Sequence, residues 1–250
     1  MFSTRLISSR RLLHLVPKLK NAAEFTEKGI AGLYSPQGFR TAWLDYQKYL
    51  TAQLSLRTVG TENETRTPYQ ILLLTAKQTT QQHTFHYASQ AHNNHFFFEQ
   101  LSDKETAQKT KPLRFLMERL ADQNITSLEE LRTAVNSRAN SVLGQGWVFL
   151  VEKEDKSVEL ITCHNDGTPY YWGKRQALDL NGAVDEASFD ALEAAKNAAH
   201  QLDFTLPLLA INFWDVAYYE DYGITGRAEY LDHVWDCINW DVVNRRMFQI

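Results

Sequence analysis

The spacing of apolar residues changes near Asn124, and that change limits the chain to a mixed fold with helices first and strands later. Ahead of it, Ser35-Pro36 pairs a capping hydroxyl with a proline suited to a first helical turn. Phe39, Trp43, Tyr46, Leu50 and Leu54 then recur at spacings of three and four. They form one stripe and predict a helix over 35–57. A loop over 58–65 leads to a short apolar helix over 68–79, around Ile71, Leu72 and Leu73. A second long helix over 83–101 is dense in Phe and His. Residues 102–112 read as a polar surface loop, and 113–121 as a further helical turn or two. Beyond Asn124, Thr126 or Ser127 with Glu129 or Glu130 forms a capping box that opens a helix to about Val142. Gly144-Gln145-Gly146 breaks it. Residues 147–151 are continuously apolar, and Val158, Leu160 and Thr162 alternate with Glu159, Ile161 and Cys163. With 152–156 as a charged turn between them, these runs predict a β-hairpin. The rest reads as a loop over 166–182, an alanine-rich helix over 188–201, a strand over 206–211, and helices over 213–222 and 227–246 parted by Gly223 and Gly226. The expected fold is α+β: a helical hairpin over 30–121, then an α/β unit over 122–250 with a small antiparallel sheet.

The first 23 residues differ from the rest. They carry Arg5, Arg10, Arg11, Lys18 and Lys20, no acid, and hydroxyls interleaved with Phe2, Leu6, Ile7, Leu12, Leu13 and Leu15. This is the pattern of a mitochondrial targeting segment, assigned to 1–15. A basic arm that stays attached and touches RNA or an acidic partner reads the same way. The whole chain has 26 basic and 30 acidic residues, net −4, where a free-standing nucleic-acid binder is usually basic. Removing Arg5 and Arg10, or those two and Arg11, takes the net charge to −6 or −7. No apolar run is long enough for a membrane-spanning helix. Two cysteines exclude a disulfide framework and a four-thiolate zinc site.

The eight histidines invite a metal reading. His83 and His86, and His92 and His95, are three apart on one predicted helix and can share a face. On a histidine-rich polar face without a nearby carboxylate, a solvated or hydrogen-bonded role in the core accounts for them better than a metal does. Cys163 and His164 are adjacent in a predicted strand and point to opposite faces. The chain has no G-x-S-x-G, phosphate-binding loop or G-x-G-x-x-G. Trp214, Tyr218, Tyr219 and Tyr222 follow helical spacing and read as core or interface.

The segment 212–222, Asn-Phe-Trp-Asp-Val-Ala-Tyr-Tyr-Glu-Asp-Tyr, resembles the iron/manganese superoxide dismutases. So do Arg227-Ala-Glu-Tyr-Leu231, Asn239-Trp-Asp-Val-Val243, Asn94-His95-Phe96-Phe97, 144–150 and 165–169, in consistent order over about 33–246. The resemblance implies that family's α+β fold, an N-terminal helical hairpin and a C-terminal α/β domain with a three-stranded antiparallel sheet. It also implies a metal held by three histidines and one aspartate. Here His95 is the one ligand-type position retained. Asn212 replaces the aspartate, Val216 the last histidine, and Ala42 stands in the region of the first. The solvent-orienting glutamine falls near Ala91 or Asp166, and Asp215 replaces a glutamate that reaches the partner subunit. One imidazole cannot hold manganese or iron against water, so the expectation is no metal, no cofactor and no dismutation.

Within the family, the chain resembles the dismutase-like proteins of the fungal mitochondrial small ribosomal subunit. That implies a structural subunit in the mitochondrial matrix, with other small-subunit proteins as partners and limited rRNA contact. It further implies a heterodimer with a second dismutase-like subunit through Trp43, Tyr46, Asp215, Tyr218 and Tyr219. Ribosome contact is expected at Lys174, Arg175, Arg227, Arg245 and Arg246. The alternatives are a divergent dismutase with displaced ligands and a free dismutase-like mitochondrial binding protein.

Overall fold

The computed structural model describes residues 14–76, 78–170 and 205–247. A short helix α1 (Ala22–Lys28) precedes the first long helix, which has three parts: α2 (Pro36–Phe39), a π-helical stretch (Arg40–Asp45) and α3 (Tyr46–Thr58). The Ser35 hydroxyl accepts from Gly38 N and itself donates to the Asp221 carboxylate at 2.6 Å, so the cap also ties the helix to the C-terminal region. Helix α4 (Pro68–Thr75) begins with a full capping box from Thr67 and Gln70, and α5 (Gln82–Glu99) is the second long helix. Both α3 and α4 lie along α5.

Next come α6 (Lys104–Ala107), α7 (Arg114–Ala121) and α8 (Leu128–Ser141), the last opened by the Ser127–Glu130 capping box. Strands β1 (Gly146–Lys153), β2 (Val158–His164) and β3 (Thr205–Asn212) form an antiparallel sheet in the order β2-β1-β3. Trp147 pairs with Cys163 on one side and Asn212 on the other. Gly146 is required at the start of β1, because a Cβ there would sit 2.2 Å from the Cys163 carbonyl oxygen. The described chain ends with α9 (Asp215–Tyr222), α10 (Arg227–Asp236) and α11 (Trp240–Arg246).

One core crosses from helices to sheet. Trp43, Phe97 and Phe98 of the hairpin belong to the same buried cluster as Trp147, Phe149, Leu209 and Trp240. A smaller cluster of Leu54, Ile71, Leu72, Phe85 and Ala88 holds the hairpin elements to each other.

Four elements depart from the sequence reading. The helix over 35–57 contains the π stretch. The helix over 227–246 is broken at 237–239, where Ile238 bridges to Leu101 and the Asn239 side chain accepts from Asp241 N to start α11. The loop over 102–112 holds α6, capped by Asp103. The helix over 68–79 stops at Thr75. The helix expected over 188–201 lies outside the described residues. No helix among the described residues is long and apolar enough to cross a membrane.

At the N-terminal edge, His14 is buried against α3. Its backbone N donates to Ser55 Oγ at 2.9 Å, and its Nε2 lies 2.8 Å from Thr58 Oγ1.

Candidate functional site

Asn212 ends β3 fully buried, in the position the resemblance gives to a metal-binding aspartate. Its Nδ2 donates to Asn94 Oδ1 at 3.4 Å. Asn94 Nδ2 donates to Gln47 Oε1 at 3.0 Å and to the Ala42 carbonyl at 3.3 Å. Gln47 Nε2 donates to the Ala91 carbonyl at 2.8 Å, and Asn212 Oδ1 accepts from Trp214 N at 2.9 Å. Three carboxamides from α3, α5 and β3 thus form one directional chain of hydrogen bonds, all nearly or fully excluded from solvent. Each amide oxygen has a donor, so the cost of burying these groups is offset by their own pairing.

This geometry corrects two residue assignments. The residue of α5 that hydrogen-bonds Asn212 is Asn94, not His95. Adjacent helical residues lie about 100° apart, so a shift of one residue selects a different face. His95 instead stacks on Trp43, with ring centroids 5.5 Å apart, and its Nε2 lies 3.2 Å from Glu99 Oε1. Its buried Nδ1 has no hydrogen-bond partner. Nor is Ala42 the facing residue of the first long helix; only its carbonyl reaches Asn94, and Gln47 supplies the side chain. The π stretch over Arg40–Asp45 shifts the helical phase between them, which a regular 3.6-residue reading does not anticipate.

The donors present do not fit a manganese or iron ion. Gln47, Asn94 and Asn212 are neutral amides engaged with one another, and Val216 has no donor atom. A divalent redox metal is held by imidazole and carboxylate ligands that carry basic lone pairs or charge. Ala91 and Asp166, near which a solvent-orienting glutamine was expected, offer a buried methyl group and a carboxylate 3.0 Å from His86 Nδ1. Among the described residues, no group of three or more His, Cys, Asp or Glu side chains could hold a metal ion.

A second polar group lies on the other flank of α5. His92 Nε2 is 2.7 Å from the Tyr170 hydroxyl. Burial pulls its imidazole down to about 4, with His95 acting in the same direction. The unfolded chain takes a proton at His92 below about pH 6.5, while the folded chain does so only near 4. Stability therefore falls as pH drops through that window, by roughly 2 kcal/mol at pH 5. Urea unfolding at pH 7 and pH 5 is expected to show a smaller loss for His92→Gln than for the wild type. Equal losses in both proteins would remove His92 from the account.

The expected surface residues sort into three kinds. Trp43 and Tyr218 are buried and cannot present a contact face; they support one from below. Tyr46 is half-buried, with its hydroxyl 3.4 Å from Gln90 Oε1. Asp215 is exposed, accepting from Tyr218 at 2.6 Å and Gln145 at 3.0 Å, and Tyr219 is 59% exposed. Of the basic residues, Arg245 is exposed, but Arg227 and Arg246 are committed inside the chain. Arg227 donates to the carbonyls of Val142 and Gly144 at 2.9 and 2.6 Å, holding the link from α8 to β1. Arg246 is buried; it donates to Gln100 Oε1 and Leu208 O at 3.0 Å each and to Phe96 O at 2.7 Å. A guanidinium this deeply buried and held by the chain's own acceptors is not a surface cation, so Arg246 drops out of the ribosome contacts. Lys174 and Arg175 lie outside the described residues.

The iron/manganese superoxide dismutase C-terminal domain matches residues 115–184 and 181–246. The chain is 30% identical to small ribosomal subunit protein mS43 of Schizosaccharomyces pombe over 238 residues, covering 94% of this chain and 84% of that protein. It is also 30% identical to small ribosomal subunit protein mS42 of the same organism over 183 residues, 72% and 74% of the two chains. An iron superoxide dismutase of Entamoeba histolytica is 27% identical over 188 residues, 75% and 77% of the two chains. With that domain matched over more than half its length, and with the sheet order and helical hairpin described above, the chain belongs to the iron/manganese superoxide dismutase family.

Proposed function

We propose that this protein is a structural constituent of the mitochondrial small ribosomal subunit, located in the matrix, with a dismutase scaffold used for its shape and not as an enzyme. The observation that carries this reading is the similarity to mS43 along nearly the whole chain. The carboxamide network supports its non-enzymatic half, because the residues facing Asn212 are ones that a redox metal does not select. The acid-free start supports the organelle. A targeting segment over 1–15 overlaps the anchor at His14, whereas cleavage after Arg10 or Arg11 leaves that anchor in place.

In this reading the partners are other small-subunit proteins and, through limited contact, rRNA. Two proteins named for the small subunit are each 30% identical to this chain, which favours a heterodimer of two dismutase-like subunits. We assign that contact to Tyr46, Asp215 and Tyr219, backed by the buried Trp43 and Tyr218. Lys174, Arg175 and Arg245 remain the assigned ribosome contacts. Sucrose-gradient fractionation of mitochondrial lysate tests the reading. Co-migration with the small subunit at moderate salt is the expected result; migration as a free species of dimer size overturns it.

A further inference from the structure

A groove of about 620 Å³ lies where α10 turns into α11, against the start of α8, the segment 107–112 and Met117 of α7. None of its residues belongs to the carboxamide network, to the face assigned to a second subunit or to the assigned ribosome contacts. In an unbroken helix Trp235 and Trp240 would stand about 140° apart around the axis. The break at 237–239 instead brings their rings edge to face, with centroids 5.6 Å apart. Pro112, Met117, Leu128 and Ile238 complete an apolar wall.

Trp235 is 9% exposed and Trp240 5%. Neither indole N–H has a hydrogen-bond partner among the described residues, yet neither is sealed from solvent as the Trp147 N–H is. A buried indole ordinarily pairs its N–H, so two open ones beside one groove call for an acceptor from outside. The rim adds a third donor. Lys111 is exposed and has no ion-pair partner among the described residues, and its carbonyl is held by the Asn244 amide at 2.9 Å. The carboxylate of the lining, Asp236, is already engaged by Lys104 at 2.8 Å and by Arg132 at 3.8 Å. Thr110 Oγ1 is engaged too, donating to Ala107 O at 2.7 Å and accepting from Trp240 N at 2.9 Å. Apart from the exposed Gln108 amide, the free polar side chains of the groove therefore donate and do not accept.

We infer that this groove seats a segment of another protein that presents a bulky apolar side chain beside a carboxylate. The side chain fills the space between the two indoles and Met117, and the carboxylate accepts from Lys111 and the indole N–H groups. Charge-assisted donors and an apolar wall side by side fit that pairing. Leu113, 39% exposed, carries the apolar surface past the groove next to Met117, whose N donates to the Leu113 carbonyl at 3.2 Å. A chain that continues beyond its anchoring side chain covers that extension; a free acid does not. The inference rests on the ribosomal reading only for which protein supplies the segment.

The test uses the full chain, labelled with nitrogen-15, and the peptide acetyl-Gly-Leu-Asp-Gly-amide at millimolar concentration. The readout is the set of indole N–H signals in proton–nitrogen correlation spectra. Trp235→Phe and Trp240→Phe identify the two signals of the groove. Both are expected to move on binding, while the remaining indole signals stay in place. Asparagine in place of the peptide aspartate is expected to weaken binding about three-fold, and Lys111→Gln to erase that difference. Because Lys111 is exposed, this variant leaves the fold intact. Serine in place of the peptide leucine is expected to abolish binding. Unmoved groove signals overturn the inference, as does a preference for aspartate over asparagine that survives Lys111→Gln. Isocaproate, which has the same side chain and a carboxylate but no peptide backbone, is expected to bind more weakly than the peptide; tighter binding overturns the assignment to a protein segment. If peptide binding fails while the chain still co-migrates with the small subunit, the groove assignment falls and the ribosomal reading stands.

Discussion

Asn212→Asp, the substitution that restores the family's metal-binding aspartate, is expected to destabilise this protein by roughly 3–4 kcal/mol at pH 7 rather than to recover a metal site. The wild-type Nδ2 donates to Asn94 Oδ1 in a fully buried, uncharged setting. A carboxylate there faces an amide oxygen with no proton between them. Turning the Asn94 amide does not help, because its Nδ2 already donates to Ala42 O and Gln47 Oε1. The cheapest remedy is to protonate the aspartate, whose O–H then replaces the lost donor. Holding a proton at pH 7 on a group that ordinarily titrates near 3.9 costs about 4 kcal/mol, which caps the penalty. The sign follows: the folded-state pKa is raised, so the loss is largest at neutral pH and fades as pH falls toward 4. Chemical denaturation of both proteins across that range measures it. A penalty under about 1 kcal/mol at pH 7, or a penalty abolished by manganese, contradicts the description of this centre as a closed amide network.

Arg246→Met is expected to cost roughly 3–5 kcal/mol, although its neighbour Arg245→Met should cost under about 0.5 kcal/mol. The contrast arises from what the two side chains touch. Arg246 lies over the Phe96 ring, 3.4 Å from its centroid, and gives hydrogen bonds to the end of α5 and to β3. Burial draws its guanidinium down to about 10, which leaves it charged at neutral pH. One of its acceptors, Gln100, clamps the outer edge of β3: its Oε1 accepts from Ala210 N at 3.1 Å, and its Nε2 donates to Ala210 O. Methionine fills much of the volume but leaves Leu208 O and Phe96 O without a donor, and an unpaired buried carbonyl is costly. Thermal or urea unfolding of the two variants checks the contrast. Similar stabilities would mean that Arg246 is solvated, and would return it to the set of surface cations.

Much of this architecture follows from local patterns. The capping box at Ser127, the apolar run at Ile71–Leu73, the alternation around Val158 and the glycines before β1 are short-range signals, and each element they predict is present. The features that escaped are those set by contacts between distant segments. The break at 237–239 exists because Ile238 bridges to Leu101 and Ser102 N donates to Cys237 O, neither of which helical spacing can reveal. The burial of Arg246 depends on acceptors 38 to 150 residues away. At the centre, the Asn-His pair at 94–95 showed which helix mattered. Helical phase decides which of the two side chains meets Asn212: Asn94 hydrogen-bonds it, while His95 stacks on Trp43. Gln47 had no motif at all. Its role emerges only when the π stretch brings it opposite Asn94, and an irregular turn within a continuous apolar stripe leaves no distinct mark in the sequence.

The loss of charge at Asn212, the missing donor at Val216 and the mutual engagement of Gln47, Asn94 and Asn212 all support the same claim: the metal centre of the family has become part of the protein core. Elemental analysis of the chain, purified after expression with added manganese and iron, tests that claim most directly. The account predicts metal far below one ion per chain, with no dismutation above buffer. One tightly held manganese or iron ion per chain, released only on unfolding, would contradict it.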